Sequence, residues 1–121
     1  MYQERVLKHF KNPQNAGRIE DADGIGVVGD PSCGDFLRIY IKVEDNHIVD
    51  IKFEIYGCPA AIATSSILTA MVKGKSLDEA WEITDEDILE ALGGLPENKE
   101  HCSNLGAEAL SRAIISYMVN F

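Results

Sequence analysis

The chain has 121 residues, 45% hydrophobic and 26% charged, the size and makeup of one globular domain, which excludes a multidomain machine, a fibrous repeat and a disordered chain. Eleven Lys and Arg against twenty Asp and Glu leave a net charge of −9, which repels a nucleic-acid backbone and an anionic membrane face alike. No apolar run is long enough to span a bilayer, and the polar opening Met1 to Asn12 lacks the apolar core of a signal peptide, so no membrane association and a cytoplasmic location are expected. Three cysteines in a reducing compartment are poorly explained by a disulfide framework, leaving free, metal-bound or reactive thiols.

Tyr2, Val6 and Phe10, with Leu7 beside them, predict a short amphipathic helix that Asn12-Pro13 ends, because proline disfavours a helical residue before it. Ile25 to Val28, between Gly24 and Gly29 in a Gly- and Asp-rich stretch, predict a short edge strand. The period then becomes two. Leu37, Ile39, Ile41 and Val43 alternate with polar or aromatic neighbours, and after Glu44 to His47 the set Val49, Ile51, Phe53 and Ile55 repeats the pattern, a hairpin with one buried face.

At Gly57-Cys58-Pro59 the pattern turns helical, with Pro59 suited to the first helical position, Cys58 to the N-cap and Gly74 to the left-handed closing residue. The many Ala and Ser residues between them suit a central helix that approaches the sheet closely. Ser76 to Glu79 and Thr84 to Asp87 have capping-box spacing and predict two short helices ending near Ile83 and Leu92. After the break at Gly93-Gly94-Leu95-Pro96, a last helix begins around His101 to Ser103 and carries Leu105, Ala109, Ala113 and Tyr117 with Leu110, Ile114 and Met118 down one side. The order predicts one α+β domain over residues 1–121: an N-terminal helix, a three-stranded antiparallel sheet, then helices packed on one face.

Cys33, Cys58 and Cys102 lie 25 and 44 residues apart, without the close spacing of a zinc ribbon. Each nevertheless sits where an element begins or ends, and a helix N-terminus favours the thiolate, which is both nucleophile and metal ligand. Asp35 adds a carboxylate two residues after Cys33, and His101 an imidazole beside Cys102. Three thiols with Asp35 or His101 suit zinc or an iron-sulfur cluster and fit magnesium or calcium badly. The acidic run from Asp78 to Glu90 is read as a solvated face, Trp81 within it as core packing, Ser65, Ser66 and Thr69 as small packing residues, and His9 and His47 as structural or exposed.

Four segments carry a resemblance over nearly the whole chain: YQERVLKHFKNPQNAG from Tyr2 to Gly17, GDPSCGD from Gly29 to Asp35, GCPAAIA from Gly57 to Ala63, and LPENKEHC from Leu95 to Cys102. In this order they resemble the iron-sulfur cluster assembly scaffold family of the IscU and NifU N-terminal type. The resemblance implies a non-enzymatic scaffold that accepts sulfur from a cysteine desulfurase, takes up iron, builds a 2Fe-2S cluster and transfers it to recipient apo-proteins. It further implies that Cys33, Cys58 and Cys102 are cluster ligands and persulfide candidates, Asp35 the fourth ligand or the group that keeps the cluster labile, and His101 an alternate ligand; three thiolates with a carboxylate or imidazole also satisfy a tetrahedral zinc ion, expected to compete for the site in the cluster-free form.

Leu95-Pro96-Glu97-Asn98-Lys99 departs from the family's LPPVK segment, which argues against a dedicated Hsp70-type chaperone partner. The alternative is the zinc-binding sulfur-acceptor branch, SufU-like, marked by an insertion before the third cysteine and no preceding histidine; the 44-residue interval and His101 favour the scaffold. A thiol enzyme using Cys102 with His101 and Asp35 is a third class, disfavoured because adjacent helical residues point about 100° apart.

Overall fold

The computed structural model describes residues 4–30, 35–57, 59–94 and 102–119. Helix α1 (Glu4–Lys11) precedes strands β1 (Gly24–Asp30), β2 (Asp35–Glu44) and β3 (His47–Tyr56), followed by helices α2 (Pro59–Val72), α3 (Leu77–Trp81), α4 (Asp85–Leu92) and α5 (Cys102–Val119). The strands form one antiparallel sheet in the order β1-β2-β3, the expected α+β arrangement. Among the described residues no helix is long and apolar enough to cross a membrane.

The hairpin turns through Asp45 and Asn46, both at positive φ, as a two-residue turn matched to strand twist requires. Its strands do not keep the simple alternation expected of them. Lys42 faces Asp50 but Val43 faces Ile48, so β3 carries one extra residue at Val49. This bulge reverses the facing: Ile48 is fully buried and Val49 is 41% exposed. On the other side of β2, beyond the start of β1, the Val43 amide donates to the Asp23 carboxylate at 2.7 Å.

On β1 the buried positions are Gly24, Gly26 and Val28, whereas Ile25 and Val27 face outward. The glycines face α5. A Cβ at Gly26 would overlap the carbonyl oxygen of Ala109, and one at Gly24 that of Ala113. The close helix-to-sheet approach expected of α2 is thus made by α5, through strand glycines rather than helix alanines. Arg112 Nη1 donates to the Val27 carbonyl at 2.7 Å and the Ile25 amide to Ser116 Oγ at 3.3 Å, fixing the helix along the strand.

Helix α2 packs among α1, α4, α5 and β3, and its buried hydroxyls hold the N-terminal segment. Ser66 Oγ accepts the Gln14 amide at 2.8 Å and lies 2.7 Å from His9 Nδ1, while Asn15 Nδ2 donates to Thr69 Oγ1 at 3.2 Å. Ser66 and Thr69 therefore do more than pack. Residues 15 to 17 then line the free edge of β3, through Phe53 N to Asn15 O and Gly17 N to Phe53 O at 3.0 and 2.8 Å. The expected face of α1 is only partly correct: Val6 is buried and His9 points inward, but Leu7 and Phe10 are exposed, because α1 touches the body along one narrow stripe. Tyr2 lies outside the described residues.

Both capping boxes form, Ser76 with Glu79 and Thr84 with Asp87. Helix α3 ends at Trp81, short of Ile83, and α4 closes on Gly93 at φ 83°. Trp81 is not core packing: it is 49% exposed, since α3 is too short to turn a second apolar position inward beyond Leu77 and Ala80. Met118, assigned to the inner side of α5, is 64% exposed because the helix runs past the sheet.

Two outcomes follow. Gly26→Ala is expected to destabilise the protein by about 1–3 kcal/mol in urea unfolding, because the obstacle is rigid backbone rather than a side chain that can rotate. His9 is held below its ordinary pKa of 6.5 by burial and secondarily by Lys8. The unfolded chain therefore binds more protons at His9 than the folded one, and this contribution is complete above the ordinary value and lost as pH falls through it toward the lower folded value. Stability should fall as pH drops through the ordinary value of 6.5 and below it, less steeply in His9→Gln, which keeps a partner for Ser66 and does not titrate.

Candidate functional site

Of the residues expected to carry chemistry, Asp35 opens β2 and Cys102 opens α5. Cys33, Cys58 and His101 lie outside the described residues. Their described neighbours are nonetheless well placed. Asp30 and Asp35, which flank residues 31–34, are register partners at one end of the sheet, and Phe36 pairs with Tyr56 beside them. Pro59, two residues after Gly57, opens α2 at that same end.

The direction of each long helix follows from its contacts. Helix α2 runs back along β3, since Gly74 N donates to Ile48 O and Ile48 N to Lys75 O at the opposite end of the sheet. Helix α5 runs antiparallel to β1: Gly24 lies against Ala113 and Tyr117, and Gly26 against Ala109. Asp30 is about 13 Å farther along the strand than Gly26, and Cys102 about 10 Å back along the helix from Ala109, which brings the two backbones level. The N-termini of α2 and α5 therefore share the sheet end where β1 finishes, β2 starts and β3 finishes. Each presents unpaired amides and the positive end of its macrodipole, which favour thiolates and other anions. Among the described residues no three His, Cys, Asp or Glu side chains gather around one point; the expected ligand side chains are outside that description.

Beside this end lies a cleft of about 610 Å³ whose lining includes Phe36, Arg38, Glu54, Tyr56 and Ile62. Glu54 accepts from Arg18 at 2.9 Å and from the Tyr40 hydroxyl, with Arg38 at 3.5 Å. The Tyr40 hydrogen bond, and after it the two guanidiniums, hold the Glu54 carboxyl below its ordinary value. Arg38 also stacks over Phe36, 5.1 Å from the ring centroid. The trace of this network in the sequence is the set Arg38, Tyr40 and Glu54 on the second face of the two strands, which alternation alone reads as solvated although Tyr40 is buried.

Residues 1–120 match the family described as NifU-like N terminal domain. The chain is 62% identical, over 97% of its length and 76% of the relative's, to the iron-sulfur cluster assembly scaffold protein IscU 1 of Archaeoglobus fulgidus. It is 48% identical to the protein of the same description, IscU, from Escherichia coli K12, over 96% of this chain and 93% of that one. Among solved structures it is similar to a putative iron-sulfur cluster assembly scaffold protein for the SUF system from Fervidobacterium islandicum, with a TM-score of 0.74 and 26% identity, covering 93% of this chain and 96% of the other. With the match running almost from end to end, the chain belongs to the NifU-like N-terminal domain family.

Proposed function

We propose that this protein, a single domain over residues 1–121 acting in the cytoplasm, is a scaffold that assembles a labile 2Fe-2S cluster and passes it to recipient apo-proteins. The observation that carries this reading is the shared sheet end, where the described neighbours of residues 33, 58 and 102 meet the N-termini of α2 and α5. Cys33, Cys58 and Cys102 are the proposed ligands and sulfur acceptors, Asp35 the fourth ligand and His101 its alternate. A cluster held by three thiolates and a carboxylate is an anion, and two helix N-termini lower its energy.

Sulfur arrives by thiol exchange. A cysteine thiolate of this chain attacks the outer sulfur of a cysteine desulfurase persulfide, a new S–S bond forms, and the desulfurase thiolate leaves. Converting that sulfur to sulfide takes two electrons from an external reductant. Cargo must also leave, and a hard carboxylate oxygen among soft thiolates gives a bond more readily exchanged than a fourth thiolate. The same donor set satisfies a tetrahedral zinc ion, the proposed occupant when iron is absent. The seven residues between Gly94 and Cys102 leave no room for the insertion of the zinc-binding acceptor branch.

Anaerobic reconstitution with iron and a desulfurase, read by absorption and Mössbauer spectra, is expected to give a 2Fe-2S signature that Cys→Ser at position 33, 58 or 102 removes while the folded circular dichroism remains. A protein that takes neither labelled sulfur nor iron on these cysteines is not a scaffold. Asp35→Ala is expected to keep the fold and still assemble a cluster but to release it to an acceptor several-fold more slowly, because a softer donor replaces the exchangeable oxygen. Transfer at the wild-type rate would make Asp35 only a strand-end residue.

A further inference from the structure

Opposite the end where α2 and α5 begin, a groove of about 320 Å³ runs between α3 and the last turns of α5, lined by Leu77, Asp78, Trp81, Ile114, Ile115 and Met118. Leu77 and Ile114 form a buried floor, while Trp81, Ile115 and Met118 stand half-exposed or more around it. Leu77 and Trp81 are one turn apart on α3, and Ile114 and Met118 one turn apart on α5, so two apolar ridges bound the groove. We propose that this groove docks a basic amphipathic helix of a partner protein.

The shape admits a helix, since ridges of side chains at i and i+4 on two neighbouring helices leave a furrow that a third helix fills with its own apolar stripe. The charge selects its sign. Asp78 lines the groove and Glu82, exposed, follows Trp81. Neither α3 nor α5 has a basic residue in its last described turn. Lys75 and His47 lie beside Glu79, and neither lines the groove. A second copy of this chain is a poor occupant. A two-fold contact sets the same patch against itself, bringing Asp78 toward its own counterpart on chains that each carry −9. An anionic lipid surface meets the same repulsion. A helix with Leu or Phe on one face and Lys or Arg flanking it satisfies both the apolar floor and the acidic rim, and it leaves the other end of the molecule open.

Trp81 is the sole tryptophan, so its fluorescence reports this groove alone. The full chain is titrated with a synthetic Leu/Lys amphipathic peptide of about five turns and with its Leu/Glu counterpart. The expected result is a saturable blue shift with the Lys peptide, weakened by salt, and none with the Glu peptide. Ile115→Glu with Met118→Glu adds negative charge but removes the apolar seat, and is expected to weaken binding about tenfold or more. Met118→Glu alone, at a 64% exposed position, repeats the test with little demand on the fold. The proposal is overturned by no shift, by equal binding of the Glu peptide, by unchanged or tighter binding to the Glu variants, which would be general charge attraction, or by a blue shift on concentrating the protein alone, which would make a second copy the occupant.

Discussion

The backbone contact between β1 and α5 is the constraint on which the arrangement depends. Where Gly26 meets the Ala109 carbonyl and Gly24 that of Ala113, no side chain separates strand from helix, so the helix cannot slide without a backbone clash. Arg112 and Ser116 add polar ties to β1 on either side. The axial position of α5 sets the level of its first residue, Cys102. A slip of one turn would move that residue by about 5.4 Å, more than twice the length of a metal-thiolate bond of about 2.3 Å. The same contact covers β1, an edge strand that would otherwise offer unpaired backbone to other chains.

The other side of the sheet is held by different chemistry. Helix α2 is rich in Ala, Ser and Thr, and it packs on four elements, so small side chains let several neighbours approach at once. Its buried hydroxyls are satisfied by Gln14, Asn15 and His9 rather than by water. A hydroxyl buried without a partner is costly, so Ser66 and Thr69 make the fit of α2 conditional on the N-terminal segment lying against it. The segment in turn pairs with Phe53 and closes the edge of β3. Two long helices are thus pinned independently, one by backbone contact and one by hydrogen bonds.

Much of this was legible in the sequence. Element order, both capping boxes, the closing glycines and the strand pairing follow from local rules that tertiary structure had no reason to override. What was hidden depends on partners. Ile25 to Val28 predict the edge strand, but not that Gly24 and Gly26 face inward, where a helix backbone takes the space. Val49 looks like a core residue, and a single bulge gave that place to Ile48. Trp81 reads as core by composition, yet burial depends on what stands opposite, and nothing in this chain covers it among the described residues. The placement of the thiols at element ends and the ordered resemblance singled out Cys33, Cys58 and Cys102, whereas the Arg18, Arg38, Tyr40 and Glu54 cluster joins residues up to 36 positions apart that no local pattern links.

Because α2 and α5 start at the same end of the sheet, their dipoles add rather than cancel, and the molecule is polar along its long helices. One end gathers the amide poles of both; toward the other lies the apolar groove that Asp78 lines. In a chain of net charge −9 this bears on the proposed function, because an anionic cluster would otherwise be assembled against the field of the whole protein. The positive potential at two helix ends offsets part of that field through backbone dipoles, which are fixed in place by the fold. Under the proposed function, such a site would hold its cargo partly through backbone dipoles that cannot move away, while the ligand most easily exchanged would be a side chain. Firm orientation and ready release, opposite demands on a single set of bonds, are then met by different parts of the structure.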